Sequence, residues 1–599
     1  MVAGVLAFEG FFYYLPFHPS NQSVAAWIVL AGPCVYLCLK FLAKFDGKDP
    51  ELAAFSKFIL EKSDFVKNIV INKSVWFIKL LFIVVVLVTI LWIPQYLVQP
   101  LWTDHEHVII MARLWDTGFF PWTAMRTYQF PGEMQLAWLA AKIGGWGNPV
   151  AFYAMDLALL FATAITLACW SSRVFGSWKY AISSFVGLLA IELSLPFTGT
   201  AQRDTHSILV IIFAFCIPSL IKDLRFAAIF NGLLFGFALA LRPHTILFIP
   251  ILASGFLVAN TSRKTRDQEI LNGKDYLRLI IIWFVSTFIS LLFFFSPVLG
   301  PIRTREFINA LQFPLNQEGE YAQPIFAHWF KTYRDAYRVP RHFWYLAIST
   351  VMILKPGNES WRFHGLLLYL IFLTGAFYRA IHPVDHGYLQ VPLQFLECIG
   401  LVVIPAWLVS QSSQINGLVW FALCGLSGHI ATTSTDLYFE FSYFQPAVIR
   451  LITQAEPNYS PPGARAAYPL EPGIYHYDWS DWVESKAWIT METSTDTRVL
   501  NLLTYQPFPS FCATNNRLPT GRLESIVLLN WFKNYDFQPE IIESLEKAPA
   551  GTLVVWDQQY INEHNKSQLD KVSEFIFKTF QKRVRFGEIE FWEKLDLDK

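Results

Sequence analysis

Thr103-Asp104-His105-Glu106-His107 gathers two carboxylates and two imidazoles into five residues, just beyond a long apolar run from Val75 to Leu97. A carboxylate within hydrogen-bond reach of a hydroxyl or amine can remove its proton as general base. Acids at the mouth of an apolar helix are costly unless they have a task. Asp104 and Glu106 are therefore the candidate catalytic pair, able to flank one site from a loop or a helix start. A structural role is compatible with this one, because Asp104 as the N-cap of a helix from His105 to Asp116 satisfies free amides. Asp156, inside a later apolar run, is a third acid with a claim to function, with a buried arginine as its alternative partner.

The cations and histidines that complement such acids recur at other helix ends. Gln202-Arg203-Asp204 occupies a very short loop between two apolar runs. There Arg203 suits a phosphate, and Asp204 suits a sugar hydroxyl or Arg203 itself; a local surface pair is the bland alternative. Arg242-Pro243-His244 interrupts an otherwise unbroken apolar stretch. Arg242 therefore needs an anion or an aqueous cavity, and His244 stands beside it as a second substrate-binding candidate. Lys331, Arg334, Arg338 and Arg341 are spaced three, four and three apart, which lines them along one helical face. Phe326, Trp329, Phe330, Tyr333 and Tyr337 surround that face, an interfacial pattern suited to lipid head groups or a lipid phosphate. Arginine adds bidentate phosphate recognition. His382-Pro383-Val384-Asp385-His386 has the residue types of metal chemistry without the spacing of a zinc-protease helix or a third ligand. Substrate hydrogen bonding by His382, Asp385 and His386 is the expectation. No metal ligand is assigned and no cofactor is required, although a divalent cation is compatible with these residue types.

These residues need elements to hold them, and the composition says which. Of 599 residues, 54% are hydrophobic and 16% charged, too apolar for a soluble protein of this size. The 54 Phe and 22 Trp fit a lipid bilayer and its interfaces. The formal net charge of zero gives no reason to expect nucleic acid. Six of the seven cysteines lie in apolar runs and Cys512 is alone in the polar tail, so no disulfide framework is expected. Residues 2 to 17 are apolar but carry Glu9 and no basic start, unlike a cleaved signal peptide.

Apolar runs long enough to span a bilayer fall near 24–44, 76–98, 150–171, 179–198, 206–222, 225–241, 243–260, 277–299, 343–355, 363–379, 388–410 and 415–432. The expected fold is a polytopic α-helical membrane protein of about eleven or twelve transmembrane helices. The 343–355 run is the shortest, and 225–260 reads as two helices meeting at Arg242-Pro243. Lysines and arginines concentrate in the connections 45–74, 173–179, 222–225 and 263–274, which marks that side as cytoplasmic. The clusters at 103–107, 202–204, 242–244, 331–341 and 382–386, together with the tail, then fall on the opposite side. The chain divides into 1–75, an N-terminal span with a cytoplasmic loop, and 76–432, a transmembrane catalytic domain with outer loops 99–149 and 300–342. The third part, 433–599, opens on a Pro- and Tyr-rich stretch and continues in short apolar runs between helical patterns. A small extracytoplasmic α/β domain follows, with Thr552–Trp556 as a buried strand.

Three short elements carry a resemblance: Asp104 early in the first large outer loop, Gly118–Pro121, and Phe130-Pro131-Gly132-Glu133. Together they resemble the signatures of the GT-C glycosyltransferases, in the protein O-mannosyltransferase and aminoarabinose-transferase-like branch, loosely over 76–430. His105 separates the two acids where that family has an adjacent Asp-Glu pair. The resemblance implies a polyprenyl-phosphate sugar donor, a glycan, lipid or protein acceptor, and a site on the outer face of the membrane, with Asp104 as base. An inverting displacement follows, with Arg203, Arg242 and the basic 331–341 face stabilising the departing phosphate. A flippase or exporter of lipid-linked sugars, and a polymerase or ligase of surface polysaccharide, are the competing classes. Sequons such as Asn458-Tyr459-Ser460 do not decide the source, and a bacterial inner membrane is favoured.

Overall fold

The computed structural model describes residues 86–125, 129–193, 199–264, 273–317, 340–354, 359–381, 391–411, 441–454, 478–503, 510–521, 535–557 and 566–596, with four isolated positions besides. The expected spans at 24–44 and 415–432 lie outside these residues. Among those described, six helical stretches are long and apolar enough to cross a membrane: Pro149–Phe175, Arg203–Leu220, Leu224–Leu241, Pro243–Thr261, Gly273–Val298 and Ser360–Ile381. Shorter apolar helices cover Val86–Leu97, Tyr345–Leu354 and Val391–Trp407. The chain is a polytopic α-helical membrane protein carrying a small C-terminal sheet.

In chain order the helices are α1 (Val86–Leu97), α2 (Thr103–Asp116), α3 (Pro131–Gly144), α4 (Pro149–Phe175), α5 (Trp178–Leu193), α6 (Arg203–Leu220) and α7 (Leu224–Leu241). They continue as α8 (Ile249–Lys264), α9 (Gly273–Phe295), α10 (Pro301–Gln317), α11 (Pro340–Leu354), α12 (Glu359–Ile381) and α13 (Val391–Gln411). Burial sorts them. The central α6 is buried over 89% of its apolar window, whereas α9 is buried over only 22%. Leu277, Ile281, Phe284, Phe288 and Phe293 point outward from α9, as expected where lipid replaces water as solvent. On its inner side α9 packs along α7, and α6 touches α4, α7, α8 and α13.

The 225–260 stretch divides as its sequence predicts. Leu224–Leu241 ends at Arg242, whose extended backbone (φ −151°, ψ 108°) precedes Pro243 and a 3-10 turn over Pro243–Phe248. The ring of proline disfavours helical geometry in the residue before it, which stops the helix there. Two basic connections also meet at one end of the bundle, because Arg173 Nη1 donates to the last-turn carbonyl of Leu220 at 3.0 Å. That end lies at the C-termini of α4 and α6, opposite the end where α6 begins.

Between α1 and α4 the chain forms the α2–α3 layer. Asp116 at the end of α2 accepts from Trp138 Nε1 at 3.0 Å and from Lys142 Nζ at 2.7 Å, both on α3, with Arg113 Nη1 at 3.5 Å. Trp122, on a single turn between them, donates to the Gln129 carbonyl at 3.0 Å and meets Phe307 of α10 edge-on.

The C-terminal unit contains a five-stranded sheet in the order β2-β1-β3-β5-β4, from β1 (Arg498–Leu502), β2 (Leu518–Pro519), β3 (Leu553–Trp556), β4 (Phe580–Phe586) and β5 (Ile589–Lys594). β1 pairs parallel with β2 and β3, while β5 is antiparallel to β3 and β4. Side chains alternate across a strand, and here each face has its own core. Val499, Leu553 and Val555 join the large cluster of the helical bundle. Leu500, Leu502, Val554 and Trp556 pack with Ile541, Leu545, Val572 and Ile576 from helices Gln538–Lys547 and Lys566–Thr579. The expected strand at Thr552–Trp556 is central β3.

Partial burial pushes the Asp116 carboxyl up, but hydrogen bonds from Lys142 and Trp138 and the nearby positive charges outweigh it and hold it below the ordinary 3.8. A carboxyl depressed on folding stabilises the native state above its unfolded value and loses that contribution as pH falls through the folded one. Below pH 4 the wild-type unfolding midpoint in detergent is therefore expected to fall more steeply than that of Asp116→Asn. Parallel profiles for the two proteins would count against this tie between α2 and α3.

Candidate functional site

The first turn of α2 sorts its acidic and imidazole groups by direction. The helix begins at Thr103 with Trp102 as N-cap, so Asp104 sits inside the first turn and does not cap it, contrary to the sequence expectation. His105 takes the reciprocal role: its Nδ1 accepts the Trp102 N–H at 3.3 Å. Its Nε2 then faces the Thr200 carbonyl at 3.1 Å and carries the proton. Burial, with His206 close by, pushes the His105 imidazole down to about 3, which keeps it neutral. The Thr200 contact ties α2 to the loop that leads into α6.

Residues two apart on a helix do not share a face. Asp104 is half-buried and makes no hydrogen bond or ion pair among the described residues. Glu106 is buried and turned elsewhere, its Oε1 accepting the backbone N–H of Ser510 in the C-terminal unit. Burial raises the Glu106 carboxyl well above the usual carboxylate range, against the pull of that N–H.

The first turn of α6 carries two chemical faces. On one, Asp204 is fully buried, and its Oδ1 accepts Arg242 Nε at 3.1 Å and the hydroxyl of Tyr378 near the end of α12. Arg203 Nε stands 4.0 Å from the other oxygen. His244 follows on the 3-10 turn, its ring 6.1 Å from that of Tyr378 at 83°. The Arg242 carbonyl accepts Thr245 Oγ1 at 2.7 Å, which fixes the turn. Arg203–Asp204 is thus no exposed local pair, and Arg242 is more than a loop arginine. Two guanidiniums thus surround one carboxylate in a buried place.

His206 occupies the other face, between two acids. Its Nδ1 meets Glu133 Oε1 of α3 at 2.8 Å, and its Nε2 meets Asp156 Oδ1 of α4 at 2.9 Å. Tyr96 of α1 donates to the second Asp156 oxygen at 2.6 Å. Asp156 therefore pairs with a histidine and a tyrosine, not with an arginine. Glu192 of α5 is buried nearby, with no hydrogen bond to either oxygen among the described residues. The sequence reading did not single out His206, Tyr96, Glu192 or Tyr378, and it took Glu133 only as part of a motif. The available signal was ionisable groups within apolar segments, which His206 and Glu192 both are.

The Phe130-Pro131-Gly132-Glu133 element has a mechanical reading. Pro131 opens α3, where its missing N–H costs nothing. A Cβ on Gly132 would stand 2.6 Å from the Ala240 carbonyl carbon and 2.8 Å from the Leu241 nitrogen. Only glycine lets the start of α3 rest on the backbone of α7, and that contact delivers Glu133 to His206.

Asp104, Asp156, Arg203, Asp204, Arg242 and His244 thus gather at one end of the bundle, linked through Thr200, His206 and Tyr378. Lys331, Arg334, Arg338, His382, Asp385 and His386 lie outside the described residues, as does the Arg341 side chain, although its backbone belongs to α11. Among the described residues no three His, Cys, Asp or Glu side chains are grouped to hold a metal ion.

Gly132→Ala is expected to push α3 off α7, separate Glu133 from His206, and cost about 1–3 kcal/mol, as overpacking does in tight cores. Thermal unfolding in detergent measures this, and an unchanged midpoint would rule out the tight contact.

The chain is similar to the crystal structure of ArnT from Cupriavidus metallidurans bound to undecaprenyl phosphate, with a TM-score of 0.46 and 12% identity over 86% of this chain and 98% of that one. It is similar also to ArnT from the same organism in the apo state, with a TM-score of 0.45 and 12% identity over 86% and 97% of the two chains. No family model matches the chain, and no curated protein sequence matches it.

Proposed function

We propose that this protein is a membrane glycosyltransferase of the GT-C type. It moves a hexosyl or pentosyl group from a polyprenyl-phosphate donor in the bilayer to a glycan, lipid or protein acceptor. The observation that carries this reading is the pairing at one end of the bundle. A half-buried carboxylate without a partner among the described residues, Asp104, shares that end with the buried, arginine-rich Arg203–Asp204–Arg242 cluster. A base and an anion-stabilising region are the two things such a transfer needs, and the sequence elements at 118–121 and 130–133 point to the same chemistry.

The reaction is a direct displacement. Asp104 takes the proton of the acceptor hydroxyl or amine as that atom attacks the anomeric carbon. The bond from that carbon to the phosphate oxygen breaks on the opposite face, so the configuration inverts. The leaving lipid phosphate gathers negative charge, which Arg203 and Arg242 stabilise. Asp204 contributes by holding Arg242 through Nε, with Tyr378 fixing Asp204 in turn. Dipoles and charges set before the reaction act without reorganising during it. His244 and the 331–341 and 382–386 residues complete the donor and acceptor surfaces in this reading. The site faces the extracytoplasmic side, in a bacterial inner membrane, and the C-terminal unit faces the same side because it is bonded to α2 through Glu106.

Asp104→Asn tests the reading in membrane vesicles supplied with a polyprenyl-phosphate sugar and acceptor on the site's face. Loss of a general base is expected to lower transfer by about 10²–10⁴-fold at normal expression. Full activity in that variant refutes Asp104 as base. Sugar-lipid crossing the vesicle membrane without any glycosidic product would favour a flippase instead.

A further inference from the structure

Glu106 is the buried acid that this chemistry leaves without a task. It projects from the helix that bears Asp104, yet its carboxyl reaches a residue 404 positions away, the backbone N–H of Ser510. Ser510 is the N-cap of the short helix Phe511–Thr514, and its own Oγ accepts the Cys512 N–H at 3.2 Å. The amide that Glu106 accepts therefore lies where the C-terminal unit meets α2.

Three further contacts surround that point. Gly147, in the turn between α3 and α4, has φ +77°, and a Cβ there would stand 2.9 Å from the Thr514 carbonyl oxygen. Backbone meets backbone at that place, which a side chain would prevent. Arg498 lies over the ring of Phe119, 5.5 Å from its centre. Phe511, Ala513 and Leu518 are buried in the same apolar cluster as Val108 and Met111 of α2. On the tail side the seat is braced by Asn515, which donates to the Lys486 carbonyl at 2.8 Å, and by Arg517, which donates to the Ile489 and Thr493 carbonyls at 2.8 and 2.9 Å.

We propose that Glu106 is a positioning residue that seats the C-terminal unit on α2, and so fixes the helix whose Asp104 meets the acceptor. What the seat requires of position 106 is an acceptor for one buried N–H. An unsatisfied buried amide is expensive, and among the described residues Glu106 is the acceptor this N–H finds. The requirement is for an oxygen, not for a charge. Glutamine meets it and alanine does not, whereas a group acting by proton transfer would lose its chemistry in both. The effect on turnover rests on the transferase reading above; the seating does not.

Hydrogen exchange of the 510–515 backbone amides, measured on the full chain in lipid nanodiscs, reads the seating without reference to activity. Wild type and Glu106→Gln are expected to be protected alike, with Glu106→Ala exchanging about tenfold faster, the scale of one buried hydrogen bond. With Ser510→Ala setting the effect of losing the Oγ cap on Cys512, Ser510→Pro, which loses both that cap and the N–H while sparing Glu106, is expected to exceed it by the step seen in Glu106→Ala. Combining Ser510→Pro with Glu106→Ala is expected to add little, as for partners in one bond. In transfer assays Glu106→Ala is expected to raise KM for the acceptor and leave that for the donor unchanged, with rescue by Glu106→Gln. Unchanged protection in Glu106→Ala, or equal loss of turnover in Glu106→Gln and Glu106→Ala, overturns the proposal. The protection pattern persisting while Asp104→Asn stays active would retain the seat and discard the base.

Discussion

A carboxylate buried among apolar helices must take its partners from the protein, and Asp204 takes them from positions 38 and 174 residues further along the chain. Ion pairs out of water repay their desolvation only with good geometry and all lone pairs served. Both partners reach Oδ1, while Oδ2 makes no hydrogen bond among the described residues; serving Oδ1 already joins three elements: the start of α6, the broken end of α7 and the last turn of α12. The break at Arg242-Pro243 is part of the same constraint. Had α7 continued as a helix, the arginine backbone would not turn outward at the level of Asp204. The pair is thus weak evidence for extra stability and stronger evidence for a fixed arrangement at this end of the bundle.

The same helix turn meets a second constraint on its other face. Asp204 and His206 are two residues apart and so diverge, which lets α6 hold an arginine-bearing region toward α7 and α12 and an acid-rich one toward α3 and α4. Gly132 connects the two: the contact that brings α3 onto α7 is the one that lets Glu133 reach His206. Polarity at this end therefore has a direction across the bundle, and Asp104 enters from the layer above, tethered by His105 to Thr200.

Local signals were legible in the sequence. Apolar runs gave the helices, proline after arginine gave the break in 225–260, and the alternation in the tail gave β3 and the flanking helices. Arg203, Asp204, Arg242 and Asp156 were found because an ionisable group in an apolar setting stands out by itself. Their partners were not legible. His206 lies within a helix that looks ordinary, and the separations of 73 and 50 residues to Glu133 and Asp156 leave no local trace. Asp104 as N-cap was a sound local reading, overturned because the helix starts two residues earlier and His105 supplies the capping acceptor. Glu106 illustrates the limit most directly, since its spacing beside Asp104 suggested shared chemistry while the helix turns it toward a residue in another part of the chain.

Continuity of the core explains why the C-terminal unit matters to the helical end it meets. Its sheet is covered on one face by helices Gln538–Lys547 and Lys566–Thr579, and on the other by helices Trp479–Glu492 and Phe511–Thr514 of the same unit together with the bundle. The other face, with Val499 and Val555, shares a cluster with Val108, Met111 and Tyr153 of the bundle. A sheet needs both faces covered when both carry apolar side chains, as Val499, Leu553 and Val555 on one face and Leu500, Leu502, Val554 and Trp556 on the other do here. Detached from the bundle, part of the first face would be exposed to water, so the unit is completed by α2 and the α3–α4 turn. The helix that carries Asp104 is consequently clamped from below by Thr200 and from above by Ser510. Its position is set by both halves of the protein rather than by the loop from which it springs.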